Sequence, residues 1–242
     1  MQIDVVANIG EARSDEFLHK TVIVIDVLRA TSTMITALSN GCKSILPVET
    51  VIQAKELQTS GDLLGGERYC KKIPGFDFGN SPSEYSPSAV KGRRIILTTT
   101  NGTRGIQKAM KADHVLAGAF INGAACAAAA VDFRRDVVIL CAGTQDVFSL
   151  EDGLAAGQIT AELISLLGDK QVCLNDFGQA MLHAFERNRD GLRAAILLCS
   201  NGKRLCKIGF QDDIDLCCAL NTTTMVPMLL HDQMVPYKQS LF

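Results

Sequence analysis

The sequence predicts an α/β fold with three layers, α/β/α, around a largely parallel but mixed sheet. Short β-branched runs alternate with helical patterns along the first 170 residues, which is typical of helices that cover a sheet. Several of these runs are almost continuously apolar, as expected for strands that are buried on both faces. A chain of 242 residues is also long enough to bury a sizeable core.

The apolar runs predict seven strands, at 3–8, 21–27, 44–49, 62–67, 94–100, 114–120 and 136–142. Helices are expected between them at about 31–40, 50–59, 103–111, 122–130 and 152–168. The stretch 70–93 contains three of the six prolines and is too long for a routine connection. Its aromatic residues Phe76, Phe78 and Tyr85 favour an ordered, packed loop.

After residue 170 the pattern becomes mainly helical, with breaks expected at Gly191 and at Asn201–Gly202. The last stretch, 222–242, predicts an irregular or extended tail. We expect a single domain over 1–242, and an arrangement of two packed lobes that divide near 145–170 stays open.

Composition excludes several classes of protein. The net charge of −2 gives no basic excess to hold a nucleic-acid backbone, and no apolar run approaches the ~20 residues that span a bilayer. The nine cysteines contain no CxxC pair that would indicate a zinc ribbon or a thioredoxin-like site. With no N-terminal signal pattern, these free cysteines predict a cytoplasmic protein whose partner is a small molecule. The sequence does not decide whether the chain forms a homo-oligomer.

The strand at 21–27 leads into the first candidate site segment. Asp26 lies at its carboxyl end, where open α/β sheets bind ligands. Arg29 and Thr31 follow at the expected start of a helix, whose free N–H groups favour an anion. The structural alternative is that Thr31 caps the helix while Asp26 pairs with Arg29.

Two further segments carry polar residues next to turns. In LLGGER, Glu67 and Arg68 follow two glycines that permit a tight turn, and the pair is suited to hold a metal and a phosphate. In GFDFGNSPSEY, Asn80 and Ser81 are turn formers that also donate hydrogen bonds to anions. A surface ion pair and a packed loop are the respective structural alternatives.

The segment ILTTTNGTRG is the strongest candidate. Thr100, Asn101, Gly102 and Arg104 crowd the entry to one predicted helix. Backbone N–H groups near Gly102 are suited to cradle a phosphate that Arg104 neutralises. The Gly-Lys-Ser/Thr ending of a Walker loop is absent. A plain capped turn does not need so many polar groups, so we favour a binding function.

The segment CAGTQDVFSLEDG supplies Glu151 and Asp152. Ser149 and Asp152 resemble a capping box that opens the next helix, which is the structural alternative. Otherwise Glu151 and Asp152 join Asp26 and Glu67 as oxygen ligands of a hard cation. Carboxylates together with arginines suit Mg²⁺ and phosphate.

Seven motifs of this chain resemble, in order and spacing, the successive blocks of the 2-phosphosulfolactate phosphatase (ComB) family. They are IDVLRATST, ALSNG, LLGGER, GFDFGNSPSEY, LTTTNGTRG, VLAGAFING and CAGTQDVFSLEDGLAAG. The resemblance implies a three-layer α/β/α fold particular to that family. It also implies magnesium-dependent hydrolysis of 2-phosphosulfolactate to sulfolactate and phosphate, a step in coenzyme M biosynthesis. Cys70 and Lys71 depart from the smaller turn expected after LLGGER.

The polar blocks of the family fall on the positions discussed above. We expect Asp26, Arg29 and Arg104 to be catalytic. The expected metal ligands are Asp26, Glu67, Glu151 and Asp152. The expected substrate-binding residues are Thr31, Arg68, Asn80, Ser81, Thr100, Asn101 and Gly102.

The attacking group is either water or a carboxylate, and Asp26 is the candidate nucleophile if a phosphoenzyme forms. Val27 and Leu28 follow Asp26, so the Asp-x-Asp pattern of haloacid-dehalogenase-type phosphatases is absent. Two alternatives stay open. One is a phosphatase of another small anionic phosphoester, and the other is a non-catalytic sensor of a phosphorylated metabolite.

Overall fold

The computed structural model describes residues 1–168 and 171–238. Within these ranges eleven strands form one sheet, and all seven predicted strands are among them. The strands are β1 Gln2–Val6, β2 Thr21–Ile25, β3 Ser44–Pro47, β4 Leu63–Arg68, β5 Lys71–Lys72, β6 Arg94–Thr98, β7 His114–Gly118, β8 Val137–Cys141, β9 Cys173–Leu174, β10 Pro227–Leu230 and β11 Gln233–Pro236.

Ten α-helices occur in the same ranges, and the five predicted between the strands are all present. They are α1 Ala30–Ser39, α2 Val51–Glu56, α3 Pro87–Val90, α4 Gly102–Lys108, α5 Gly123–Asp132, α6 Leu150–Leu167, α7 Asp176–Asn188, α8 Leu192–Leu198, α9 Ser200–Lys207 and α10 Gln211–Cys217. The last four confirm the helical prediction for the C-terminal part. None of the helices in the described ranges is long and apolar enough to cross a membrane.

The order of strands is β5-β4-β6-β3-β11-β10-β7-β2-β8-β1-β9. Two parallel groups, β4-β6-β3 and β7-β2-β8-β1-β9, are joined by the antiparallel hairpin β10–β11. The mixed, largely parallel sheet is therefore confirmed.

The central hairpin corrects the prediction of an irregular or extended tail over 222–242. Residues 227–236 pair with β7 on one side and with β3 on the other. Met234 is completely buried in the hairpin. These partner strands are distant in sequence, so local patterning did not reveal the pairing. Residues 239–242 of the predicted tail lie outside the described part of the chain.

Alternate side chains of each strand enter different layers of the core. Val22 and Val24 of β2 pack in the same cluster as residues of α1 and α4, whereas Ile23 and Ile25 pack with residues of α5 and α6. Ile96 of β6 belongs to a third cluster, which it shares with Ala54 of α2. Helices thus cover both faces of the sheet, as the three-layer prediction requires.

The segments that follow β6 and β2 approach each other closely. Strands β6 and β2 are five steps apart, which is roughly 24 Å in a flat sheet. The segments that follow them nevertheless meet, because a Cβ atom added to Gly102 would lie 2.7 Å from Asp26 Oδ2. Strand twist, which accumulates across the sheet, permits this closure. The closeness of Asp26 to position 102 also explains why only glycine fits there.

Candidate active site

A small polar cavity lies where the segments after β2, β4, β6 and β8 converge, and α9 contributes to its wall. Its lining contains six of the predicted site residues together with several that the motifs did not single out. The lining residues are Asp26, Leu28, Arg29, Glu67, Tyr69, Cys70, Asn80, Thr100, Asn101, Thr144, Gln145, Asn201 and Arg204.

Asp26 is one of two buried carboxylates of this cavity, and it follows directly after β2. Its Oδ1 accepts the N–H of Ala30 from the first turn of α1 at 3.1 Å. Burial raises the pKa of Asp26 to about 7. The N–H groups of Ala30 and Gly102 lower that pKa, and the negative charges of Glu67 and Glu151 raise it. Burial beside two further carboxylates therefore disfavours the ionised form of Asp26, and a bound cation would offset this cost.

Glu67, at the end of β4, links two turns that border the cavity. Its Oε1 accepts both the N–H and the hydroxyl of Thr100 at 2.8 Å. Its Oε2 accepts the N–H of Cys70 at 2.6 Å. These three hydrogen bonds hold the Glu67 carboxylate between Thr100 and Cys70. Thr100 thus orients Glu67, whether or not it also meets a substrate.

Asp152 lies behind the cavity, in the first turn of α6, and it is not part of the lining. Its two oxygens accept the N–H groups of Val27 and Gly143 at 2.9 and 3.0 Å, so it ties the end of β2 to the end of β8. Burial and the charges of Glu151 and Asp26 raise the pKa of Asp152 well above its usual range.

Glu151 is likewise buried and outside the lining. Its Oε1 accepts a hydrogen bond from Asn201 Nδ2 at 2.5 Å. Of the four predicted metal ligands, the structure therefore brings Asp26 and Glu67 together at the cavity. It holds Glu151 and Asp152 one layer behind, where the charge of Glu151 helps to raise the pKa of Asp26.

Arg29 is the buried cation of the cavity. Its Nη1 lies 2.5 Å from Asp213 Oδ2 of α10, and its guanidinium lies 4.3 Å from the centre of the Phe210 ring. The other oxygen of Asp213 accepts the hydroxyl of Ser81 at 2.6 Å. Asp213 therefore fixes Arg29, and Ser81, predicted to bind substrate, supports this ion pair through its hydroxyl.

Arg68 does not line the cavity. Its guanidinium donates hydrogen bonds to the backbone carbonyls of Glu67 and Glu49 and to the hydroxyl of Thr98. Such bonds hold the strand ends in place. Thr31 is engaged in the same way, because its buried hydroxyl accepts the N–H of Asp26 and lies 2.8 Å from the carbonyl oxygen of Gly118. Arg68 and Thr31, both predicted to bind substrate, thus lie at strand ends and bind the backbone there.

Arg104 also lies away from the cavity. Its side chain is 41% exposed, and Nη2 lies 3.4 Å from Asp146 beside a separate surface groove. The reason is helical geometry. Gly102 faces Asp26, and a position two residues later on α4 is rotated by roughly 200° around the helix axis. The expected catalytic role of Arg104 has no support from this arrangement.

Asn80 and Asn101 do line the cavity. Asn101 Oδ1 lies 3.4 Å from the N–H of Gln145, across the cavity rim. Asn80 is 6% exposed, and its Oδ1 has no hydrogen-bond partner among the described residues. A buried acceptor left unpaired costs about 1–3 kcal/mol, so this oxygen requires a ligand, a metal or a water.

The motifs missed the contribution of the C-terminal helices. Asn201, Arg204 and Asp213 follow no strand, and the predicted break at Asn201–Gly202 is wrong by two or three positions, because the chain breaks at Cys199. The helix α8 ends before Cys199, whose Sγ accepts the N–H of Gly202 and opens α9. The one available signal is the spacing of Asn201 and Arg204, which places both on one face of a helix.

The donor atoms of the cavity fit a magnesium ion. Within residues 1–168 and 171–238, no group of three or more His, Cys, Asp or Glu side chains is arranged to hold a metal ion. Magnesium needs less, since it binds through one or two carboxylates and completes its shell with waters and phosphate oxygens. Asp26 and Glu67 supply two carboxylates, and Asn80, whose buried Oδ1 has no partner among the described residues, belongs to the same lining.

Hard oxygen donors and a fixed guanidinium thus meet at the strand ends of an α/β/α sheet. Ligands of open α/β sheets bind at this position, and this combination of groups suits a cation and a phosphate. The fold and the cavity thus suit an enzyme that acts on small phosphoesters.

The family model described as 2-phosphosulpholactate phosphatase matches residues 8–232. The chain therefore belongs to the 2-phosphosulpholactate phosphatase family, and the resemblance carried by its seven motifs is confirmed. Membership of this family makes the chain a phosphoric monoester hydrolase.

Relatives of similar length support the assignment. A protein of Clostridium acetobutylicum is 37% identical over 238 residues, which cover 97% of this chain and 100% of the relative. A protein of Symbiobacterium thermophilum is 40% identical, over 92% of this chain and 96% of the relative. A protein of Caldanaerobacter subterraneus is 41% identical, over 87% and 88%. Each bears the name probable 2-phosphosulfolactate phosphatase.

Proposed function

We propose that this chain hydrolyses 2-phosphosulfolactate to 3-sulfolactate and phosphate with the help of Mg²⁺, as in coenzyme M biosynthesis. One observation carries the proposal. The cavity places two carboxylates, Asp26 and Glu67, and the unpartnered Oδ1 of Asn80 in one lining with the cations Arg29 and Arg204. The names of the relatives support the choice of substrate.

Asp26 and Glu67 would hold the magnesium ion, and Asn80 Oδ1 would supply a third protein oxygen. The bound ion would neutralise charge on the phosphate oxygens. Glu67 is suited to this role because its three hydrogen bonds fix it before any ligand arrives. A donor that is already oriented costs no reorganisation when the ligand binds.

Arg29 would bind and orient the phosphate. Phosphoryl transfer depends mainly on positioning and on stabilisation of charge at the equatorial oxygens. Arg29 is held by Asp213 and by the Phe210 ring, so little side-chain freedom is lost when the phosphate binds. Partial exclusion of water strengthens each of these charge interactions.

The pKa of Asp26, raised by burial to about 7, suits a group that exchanges protons near neutral pH. Asp26 would either accept a proton from the attacking water or attack the phosphorus itself. Trapping with hydroxylamine separates these routes, because it captures an acyl phosphate and leaves a water mechanism undisturbed.

The reducing cytoplasm is the compartment that we propose for this reaction. All nine cysteines are free thiols, and six of them are buried in the core. Free buried thiols are used in this way where disulfides do not persist.

Phosphate release from a panel of esters tests the proposal. The panel contains 2-phosphosulfolactate, 2-phospholactate, phosphoglycolate and an aryl phosphate, each with Mg²⁺ and with EDTA. We expect magnesium-dependent release, with the highest kcat/KM for the sulfonated ester. Release from the other esters alone would mean that the chain is a phosphatase with a different substrate. Stabilisation by the esters without release would indicate a non-catalytic sensor.

A further inference from the structure

We propose, building on the function proposed above, that Arg204 recognises a second anionic group of the substrate, remote from the phosphate. This residue lies on α9 and belongs to none of the seven motifs. The substrate class is therefore a phosphoester that also carries a carboxylate or a sulfonate.

Charge balance within the cavity supports this role. Arg29 is already neutralised by Asp213. Arg204 lines the same cavity, yet it forms no ion pair or side-chain hydrogen bond with any residue in the described ranges. A divalent cation on Asp26 and Glu67 would cancel their two charges. The guanidinium of Arg204 then remains as a positive charge that an anionic group of the ligand can pair with.

Arg29 and Arg204 differ in how deeply they are buried, and this difference separates their roles. Arg29 is 3% exposed and follows Asp26 by three positions, so it reaches the end of the substrate that reacts. Arg204 is exposed and stands at the rim.

The helix that carries Arg204 is anchored to the site by Asn201. Asn201 lies three positions earlier, on the same face of α9. Its Nδ2 donates to Glu151 Oε1 at 2.5 Å and to Thr144 Oγ1 at 2.7 Å. Glu151 is buried behind Asp26, so this contact ties the rim to the carboxylate layer. Asn201 is thus a positioning residue for Arg204.

Two esters that differ only in the second anion test the role. In 2-phospholactate a carboxylate occupies the position that a methyl group occupies in isopropyl phosphate. We expect Arg204→Gln to lower kcat/KM for 2-phospholactate by about 10- to 100-fold, the loss typical of one charged hydrogen bond. The loss appears mainly in KM, and kcat/KM for isopropyl phosphate changes by less than about 3-fold.

Lys203→Gln is the matched control. It removes the same charge from an exposed neighbour on α9 that does not line the cavity. Both esters should react with the control variant as with the wild type. Equal losses on the two esters in Arg204→Gln would overturn the proposal, because Arg204 would then act on the phosphate. Unchanged kinetics on both esters would overturn it as well.

Calorimetric titration with 3-sulfolactate gives a readout that is independent of turnover. We expect Arg204→Gln to weaken binding at least 10-fold relative to the wild type and to Lys203→Gln. If no ester is hydrolysed but this difference is measured, the proposed reaction fails and the anion site stands. Equal affinity in all three proteins, or no binding by the wild type, would overturn the anion site.

Discussion

Asp213 Oδ2 lies 2.5 Å from Arg29 Nη1, although 184 positions separate the two residues in the sequence. Both side chains are 3% exposed. The contact joins the C-terminal helical layer to the strand end that carries Asp26. The helices after residue 190 are therefore part of the site, because they hold its buried cation in place.

Asp213→Asn should impair both stability and turnover. The substitution leaves Arg29 buried without its counter-charge, which costs about 3–5 kcal/mol for a pair of this kind. Urea denaturation measures the loss in the free energy of unfolding, and phosphate release measures the loss in kcat/KM.

Asp215→Asn is the control on the same helix. Asp215 pairs with Arg193 at the surface, where both side chains are about half exposed. Exposed pairs contribute roughly 0–1 kcal/mol, so this variant should remain close to the wild type. Equal destabilisation by the two substitutions would contradict the role assigned to Asp213.

The stability of the metal-free protein should depend on the pKa of Asp26. That pKa is raised from 3.8 to about 7, so the folded state keeps a proton that the unfolded state releases. The free energy of unfolding therefore falls as pH rises from 3.8 to 7. The contribution of the protonated Asp26 carboxyl to stability is complete below pH 3.8 and is lost above pH 7.

Denaturation in EDTA at several pH values measures this dependence. Asp26→Asn should remove its share of the slope, which appears as a difference between variant and wild type that changes from pH 4 to pH 7. Added Mg²⁺ should restore wild-type stability near neutral pH by compensating the carboxylate charges. A difference that is independent of pH would contradict the raised pKa.

Asn80→Ala should act on ligand binding more than on folding. Asn80 Oδ1 is buried without a partner among the described residues, so its removal sacrifices no hydrogen bond of that atom. We expect the metal-free free energy of unfolding to change by less than about 1 kcal/mol, because relief of the unpaired acceptor and loss of side-chain packing act in opposite directions. The Mg²⁺ concentration for half-maximal activity should rise by about 10-fold, as is common when a group that supports a metal site is removed. An unchanged Mg²⁺ requirement would place Asn80 outside the metal site.

Arg29 and Arg104 should respond differently to the same substitution. Arg29→Gln removes a cation from the cavity lining, and we expect kcat/KM to fall by about 10²- to 10³-fold. Arg104→Gln removes an exposed partner of Asp146, outside the lining, and should change kcat/KM by less than about 3-fold. Comparable losses in the two variants would restore the role that the sequence motif suggested for Arg104.

The sequence revealed the strands and the polar residues at their ends because both are local patterns. Asp26, Glu67 and Asn80 follow strands or turns that their own neighbours specify. The direction of a side chain is less local. Arg104 lies in the strongest motif, yet two positions along α4 turn it away from the cavity.

Contacts between distant segments account for the rest. The hairpin at 227–236 pairs with strands more than a hundred residues away, and Met234 gives no sign of its partner Ile45. Arg204 and Asp213 come from helices without a polar motif. Their place in the site follows from the packing of the C-terminal layer, which hydrophobic periodicity does not specify.

The most direct test of the account compares wild type and Asp26→Asn in one assay, phosphate release from 2-phosphosulfolactate. The wild type should turn over with Mg²⁺ and stop in EDTA. Asp26→Asn should remain folded and lose about 10³-fold or more in kcat, as is typical when a group at the reacting centre is removed. Near-normal turnover by folded Asp26→Asn, or wild-type turnover that EDTA does not affect, would contradict the assignment of this cavity as a magnesium-dependent phosphatase site.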